Sequence, residues 1–180
     1  VKYTLSLALE MDDILIKDKV VLRAGPSEVV WHIALKMLGY MLYAQDRPVI
    51  EHGVGRHYKP DLVRLAPDGS IALWIDCGNI AVKKVDRVAM WVGTIGRFVI
   101  LRRNAYEAAT LLDAGRGRLK RPERVTVRYF EDGFVNGFAG CLDTANSVDA
   151  RREEDRLSLS IQNRRGRNVL ESTVSTAYFA

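Results

Sequence analysis

A chain of 180 residues, 48% of them apolar, is the size of one domain and has the material for a packed core. No run approaches the ~20 apolar residues of a membrane-spanning helix, the first residues show no leader pattern, and neither Cys77 nor Cys141 has a second Cys or a His beside it, so a zinc site and a disulfide framework are both disfavoured and a cytoplasmic, reduced protein is expected. The net charge of +5 suits a polyanionic partner but is also common among ordinary soluble proteins.

Residues 3 to 10 alternate at period two and 19 to 23 are β-rich, with a charged link containing Asp12 and Asp13 between them, which predicts an antiparallel pair. Gly25-Pro26-Ser27-Glu28 then opens a helix running to about Tyr43, with Ser27 as its cap and Glu28 at the positive end of its dipole. Apolar residues on most sides of that helix predict burial rather than a single amphipathic stripe. After a polar connection containing His52 and His57, two strands flank Pro67-Asp68-Gly69-Ser70 and read as a hairpin. Beyond it come a short helix over 83 to 91, a buried strand over 97 to 102, a helix over 104 to 113 with Asn104 as a candidate cap, and a strand over 124 to 130. Residues 146 to 156 read as an exposed link, and 157 to 178 as a terminal hairpin turning at 163 to 167. Helices alternating with strands after the first hairpin imply a mixed sheet flanked by helices, of the α/β or α+β class, in a single domain covering 1–180.

The hairpin's register decides which side chains meet. If Asp68 and Gly69 form a two-residue loop, Val63 opposes Trp74 and Asp61 opposes Asp76, so two carboxylates face each other. A four-residue loop keeps this pairing, whereas a three-residue loop moves the carboxylates to opposite faces unless a bulge intervenes. Like charges across a ladder destabilise it, and a divalent cation between them turns repulsion into coordination. Both aspartates also stand at strand ends, where turn-capping aspartates are common.

The run Lys59-Pro60-Asp61, then Trp74-Ile75-Asp76-Cys77-Gly78 and a basic helix, resembles the YaeQ family's Pro-Asp strand and Trp-Ile-Glu-x-Gly strand. Leu22 to Glu28 resembles that family's entry into its first long helix, Tyr43 to Arg47 its exit, and Leu157 to Phe179 its closing strands. The resemblance implies a restriction-endonuclease-like core of the PD-(D/E)xK nuclease superfamily, with N- and C-terminal β-hairpins added. It further implies Glu28 as the helix acid, Asp61 and Asp76 as ligands of Mg²⁺ or Mn²⁺, and the Cys77 carbonyl as a further oxygen. In that superfamily a lysine two residues beyond the second acid steadies the nucleophile or the developing charge. Gly78 stands there instead, so Lys84, then Lys83, then Arg87 are the candidates to replace it from the next helix, each also readable as part of a solvated face.

His32 reads as a core histidine, and His52 and His57 as loop residues near the acidic strand. The glycine-containing stretches at 93 to 96 and 115 to 117 lack the setting of a phosphate-binding loop, and no serine or cysteine has a nucleophile's context. Basic residues crowd two predicted loops, 116–124 and 164–167, and read either as nucleic-acid contacts or as solvated surface. Two functions follow: a Mg²⁺-dependent nuclease using Asp61, Asp76, Glu28 and Lys84, or a non-catalytic descendant binding nucleic acid or a protein partner.

Overall fold

Strand β1 (Lys2–Met11) turns its alternate residues Leu5, Leu7, Leu9 and Met11 into the core. Asp12 and Asp13 both take positive φ, 48° and 64°, forming the tight two-residue turn that matches strand twist. The chain returns as β2 (Ile14–Arg23), with Met11 opposite Ile14 and Tyr3 opposite Leu22. The link is therefore only the two aspartates, and β2 starts five residues before the predicted 19 (19 − 14 = 5). All residues 1–180 are described by this computed structural model.

Helix α1 (Val30–Leu42) begins later than Ser27 and has no side-chain cap at Val29. The residues before it form a separate turn, in which the Glu28 amide donates to the Gly25 carbonyl at 3.2 Å and the Gly25 amide donates to Glu28 Oε2 at 3.0 Å. Glu28 closes that turn, so neither the cap assigned to Ser27 nor a first-turn position for Glu28 holds. As expected from its all-round apolar surface, every residue from Ile33 to Leu42 is buried. Gly39 lets the helix lie close on the sheet: a Cβ there would stand 3.0 Å from Leu101 and 3.3 Å from Leu62.

The chain continues through β3 (Val49–Ile50), β4 (Leu62–Leu65), β5 (Ile71–Cys77), α2 (Val82–Val92), β6 (Arg97–Arg102) and α3 (Ala105–Gly115). Asn104 caps α3, its Oδ1 accepting the Glu107 amide at 2.9 Å. Then follow β7 (Val125–Phe130), α4 (Phe134–Cys141), β8 (Ala145–Glu153), β9 (Arg156–Asn163) and β10 (Gly166–Tyr178). The exposed link expected over 146 to 156 is mostly β8, paired in parallel with β1 and antiparallel with β9. Asn146, Val148 and Ala150 supply its buried face, a period-two pattern hidden because two of the three are small or polar. Helix α4, unread in the sequence, contains two glycines that weaken helix propensity.

All ten strands join one mixed sheet in the order β2-β1-β8-β9-β10-β7-β6-β5-β4-β3. Long β10 pairs with β9 through its first half and with β7 through its second, uniting the hairpin half with the helix-bearing half. Thirty-two buried residues from both halves enclose α1 and α4 in one cluster, while twelve more lie on the opposite face of β5–β7 beneath α2 and α3. The molecule is thus α+β, with its largest helix wrapped by a sheet that nearly closes on itself. No helix is long and apolar enough to cross a membrane.

Candidate functional site

The β4–β5 ladder sets the two aspartates opposite each other. Leu62 pairs with Ile75 and Val63 with Trp74, a register whose next step faces Asp61 with Asp76, and the regular ladder ends there because the Asp61 amide donates to the Ile75 carbonyl at 3.1 Å instead. The turn itself has three residues, since the Ala66 amide donates to the Ser70 carbonyl at 2.8 Å and Leu65 pairs with Ile71. That count alone would separate the aspartates, but a bulge at Arg64/Leu65 absorbs the odd residue and restores the register.

The carboxylates nevertheless reach towards different helices. Asp61 turns to α1, with its Oδ2 3.5 Å from His32 Nε2 and its Oδ1 3.7 Å from Lys36 Nζ, and Oδ2 also accepts the Cys77 amide at 2.7 Å. Asp76, only 2% exposed, accepts from Trp74 Nε1 at 3.0 Å and from Lys84 Nζ of α2 at 2.9 Å. Lys84 also donates to the Lys59 carbonyl at 3.3 Å.

Glu28, His32 and Lys36 stand four residues apart and present one polar stripe of α1 and its preceding turn. Glu28 Oε1 lies 2.7 Å from His32 Nδ1 and 2.5 Å from Lys36 Nζ, and Lys36 also pairs with Glu51 at 2.5 Å. A lysine 3% exposed requires such partners, because an unpaired buried ammonium is strongly disfavoured. Its own burial would lower the Lys36 pKa, but the hydrogen bonds to Glu28 and Glu51 and the charge of Asp61 hold it above the ordinary value. Burial likewise opposes ionisation of Asp61, yet His32, the Cys77 amide and Lys36 keep its carboxyl below the ordinary range. Glu28 is lowered against its burial by Lys36 and the Gly25 amide, and His32 is raised against its burial by Asp61 and Glu28. Asp76 goes the other way: burial, helped by the Asp61 charge, raises it despite Lys84.

Gly78 occupies the position where the resemblance expects lysine. Its φ is +78°, and a Cβ there would lie 2.9 Å from the Trp31 ring, so the backbone and the indole together exclude a side chain. Its carbonyl accepts from Arg102 Nη1 at 2.6 Å. Of the three replacements, Lys84 is at the acids, while Lys83 and Arg87 are exposed and make no ion pair. The Cys77 thiol is buried in the core, and burial pushes its pKa well up.

His32, expected to be a satisfied core histidine, is satisfied but only part-buried, joining Glu28 to Asp61 at the edge of the core. Lys36 and Glu51 were missed altogether, although four-residue spacing from Glu28 through His32 to Lys36 inside an apolar helix was the available signal. His52 and His57 lie in an exposed loop. Of the basic residues, Arg116 pairs with Asp113, Arg124 is part-buried against the Ala89 carbonyl, Arg164 binds Asp143 and Arg165 donates to the Leu142 carbonyl. Several members of both clusters are thereby bound to their own fold.

The cluster offers hard oxygen donors, the type that Mg²⁺ and Mn²⁺ prefer. No group of three or more His, Cys, Asp or Glu side chains converges as a cage. Mg²⁺ commonly uses one or two carboxylates with water and substrate phosphate completing its shell, and of the carboxylates here Asp61 is already held by His32 and Lys36 and Asp76 by Lys84.

A family model described as YaeQ protein matches residues 1–168. Two crystal structures share the fold: a YaeQ protein from Xanthomonas axonopodis pv. citri, at TM-score 0.77 and 17% identity over 96% of each chain, and one from Pseudomonas syringae, at TM-score 0.74 and 16% identity over 99% of this chain and 95% of that one. No curated protein matches the chain.

Proposed function

The chain belongs to the YaeQ family, and on that premise we propose that it is a metal-assisted phosphodiesterase of the PD-(D/E)xK kind, acting on DNA or RNA. The observation that carries this reading is Lys84 Nζ at 2.9 Å from buried Asp76, a cation brought to the second acid by α2 where Gly78 has no room for one. Asp61, Asp76 and the Cys77 carbonyl would hold Mg²⁺ or Mn²⁺. A bound divalent ion of this class polarises a phosphoryl oxygen and lowers the pKa of a coordinated water.

The protein's own groups have separable duties under this reading. Lys84 supplies positive charge at the phosphate, and Trp74 orients the Asp76 carboxylate through its indole N–H. Glu28 and Lys36 hold His32 and Asp61 in place, and His32 can carry a proton between Glu28 and Asp61. Lysine is paired to Asp76 in this arrangement, so ion entry requires that contact to loosen.

A second reading is binding without chemistry, and the same completeness of charge pairing favours it: every acid of the cluster already has a cationic partner. Isothermal titration with Mn²⁺ and Mg²⁺, of wild type and of an Asp61→Ala, Asp76→Ala double variant, separates the two. The nuclease reading expects saturable binding that the double variant lacks, and DNA or RNA cleavage that Lys84→Ala lowers by about a hundredfold. Absence of metal binding to wild type, alone and with oligonucleotide, would leave the binding protein.

A further inference from the structure

The sheet around α1 stops short of closing, and β2 and β3 are its two borders. Between β2 and the chain that leads into β3 lies a cavity of about 520 Å³. Ile14, Ile16 and Asp18 line it from β2, Tyr40 from α1, Ala44 from the turn after that helix, and Arg47 from the approach to β3. The wall of strands is thus interrupted over the end of α1.

Backbone groups are left without partners along this border. In an antiparallel pair, alternate residues turn their amide and carbonyl away from the partner strand. Lys19 is one of them, since its amide donates to Asp18 Oδ1 at 2.7 Å rather than to β1. Leu15, Lys17 and Val21 share its alternation, and no strand stands on that side to receive them.

Positive charge is left over at the same place. Lys17 and Lys19, with Arg47 across the opening, enter no ion pair. The carboxylates nearby are engaged already: Asp18 accepts the Tyr40 hydroxyl and the Lys19 amide, and Asp46 pairs with Arg97. Apolar side chains flank the two lysines, with Leu15 59% exposed and Val21 42%.

Residues directly opposite each other on paired strands share a face, so a strand laid along β2 is read position by position. Carboxylates belong opposite Lys17 and Lys19, apolar residues opposite Leu15 and Val21, and small or apolar residues opposite Ile14 and Ile16, where they enter the cavity beside Tyr40 and Ala44. We propose that the β2 border and this cavity form the docking site for an acidic segment of a partner protein, which binds in extended form as an added strand. A second copy of this chain does not fit, because its own border carries the same lysines. Nucleic acid would answer to the lysines but not to free amides and carbonyls alternating with apolar side chains. The site is independent of the nuclease reading.

The test uses the full chain and an end-blocked peptide of about ten residues, with Glu at the two positions opposite Lys17 and Lys19 and Val or Thr elsewhere. A control peptide carries Lys in place of both Glu residues. Backbone amide exchange is followed by nuclear magnetic resonance. Saturable binding of the Glu peptide that slows exchange at Leu15, Lys17 and Val21 is expected, with affinity about tenfold lower for the Lys peptide. In the Lys17→Glu, Lys19→Glu double variant the preference should reverse, the Lys peptide binding and the Glu peptide not. Unchanged exchange at the three amides in wild type, equal affinity for the two peptides, or an unreversed preference in the variant would overturn the site. A single-stranded oligonucleotide that protects the same amides as the Glu peptide does would overturn its assignment to a protein segment.

Discussion

Lys36 occupies a position among apolar neighbours where an ammonium survives only by facing Glu28, Glu51 and Asp61 together. Removing it strands three carboxylates against one another, so Lys36→Met is expected to cost about 3–5 kcal/mol at neutral pH, read by urea denaturation. The pH dependence has a definite sign. Glu28 and Asp61 are depressed in the folded protein, so their contribution is present above their unfolded pKa of roughly 4 and is lost as pH falls through the folded values. Lys36→Met should therefore lose most at neutral pH and converge on wild type in acid, and a difference independent of pH would refute this account. The sequence shows why Lys36 was hard to see: a lone lysine in a buried helix looks like noise until its partners are found fifteen and twenty-five positions downstream at Glu51 and Asp61 (51 − 36 = 15, 61 − 36 = 25). Asp61 and Asp76 were easier, because a hairpin is local and counting leaves only a few registers to choose among.

At the scale of elements, most hairpins and the helix capped by Asn104 were legible, whereas the cap read at Ser27 does not hold and β8, joined to β9 by the two-residue Glu154-Asp155 turn, reads as a link. The Asp12-Asp13 turn, the Asn104 cap and the Arg164-Arg165 turn each announce themselves within a few residues. β8 pairs with β1 across more than 130 positions, and its inward residues Asn146, Val148 and Ala150 carry little hydrophobic signal. Its burial gives a sharp contrast. Val148→Asp places a charge at a position with 0% exposure and should cost more than about 3 kcal/mol, whereas a solvated link would absorb it within about 0.5 kcal/mol. Chemical denaturation of the variant decides between them. The bulge at Arg64/Leu65 is the element-scale feature that counting could not reach: the sequence admits loops of two, three or four residues, and only the folded ladder shows three with a compensating bulge.

For the whole molecule, one cluster of 32 buried residues draws on both halves of the sheet, so the larger core, around α1 and α4, does not close in either half without the other. Tryptophan fluorescence, dominated on one face by Trp74 and Trp91, and far-ultraviolet circular dichroism should therefore report the same unfolding midpoint. Two separated midpoints would show halves that unfold independently. Much of the pairing is distant in sequence, including β1 with β8, which places folding in the slow range of roughly milliseconds to seconds. During that interval β2 matters in a new way. It terminates the sheet, with ten residues whose outer amides and carbonyls meet no further strand, and with Ile14, Leu15 and Val21 exposed along it. Such a border invites stacking between molecules, and Lys17 and Lys19 interrupt it with charges that a second copy would have to bring against their like. Neutralising this pair would leave the fold untouched while converting the protein into one that precipitates, a liability held in check by two ammonium groups on the sheet's border.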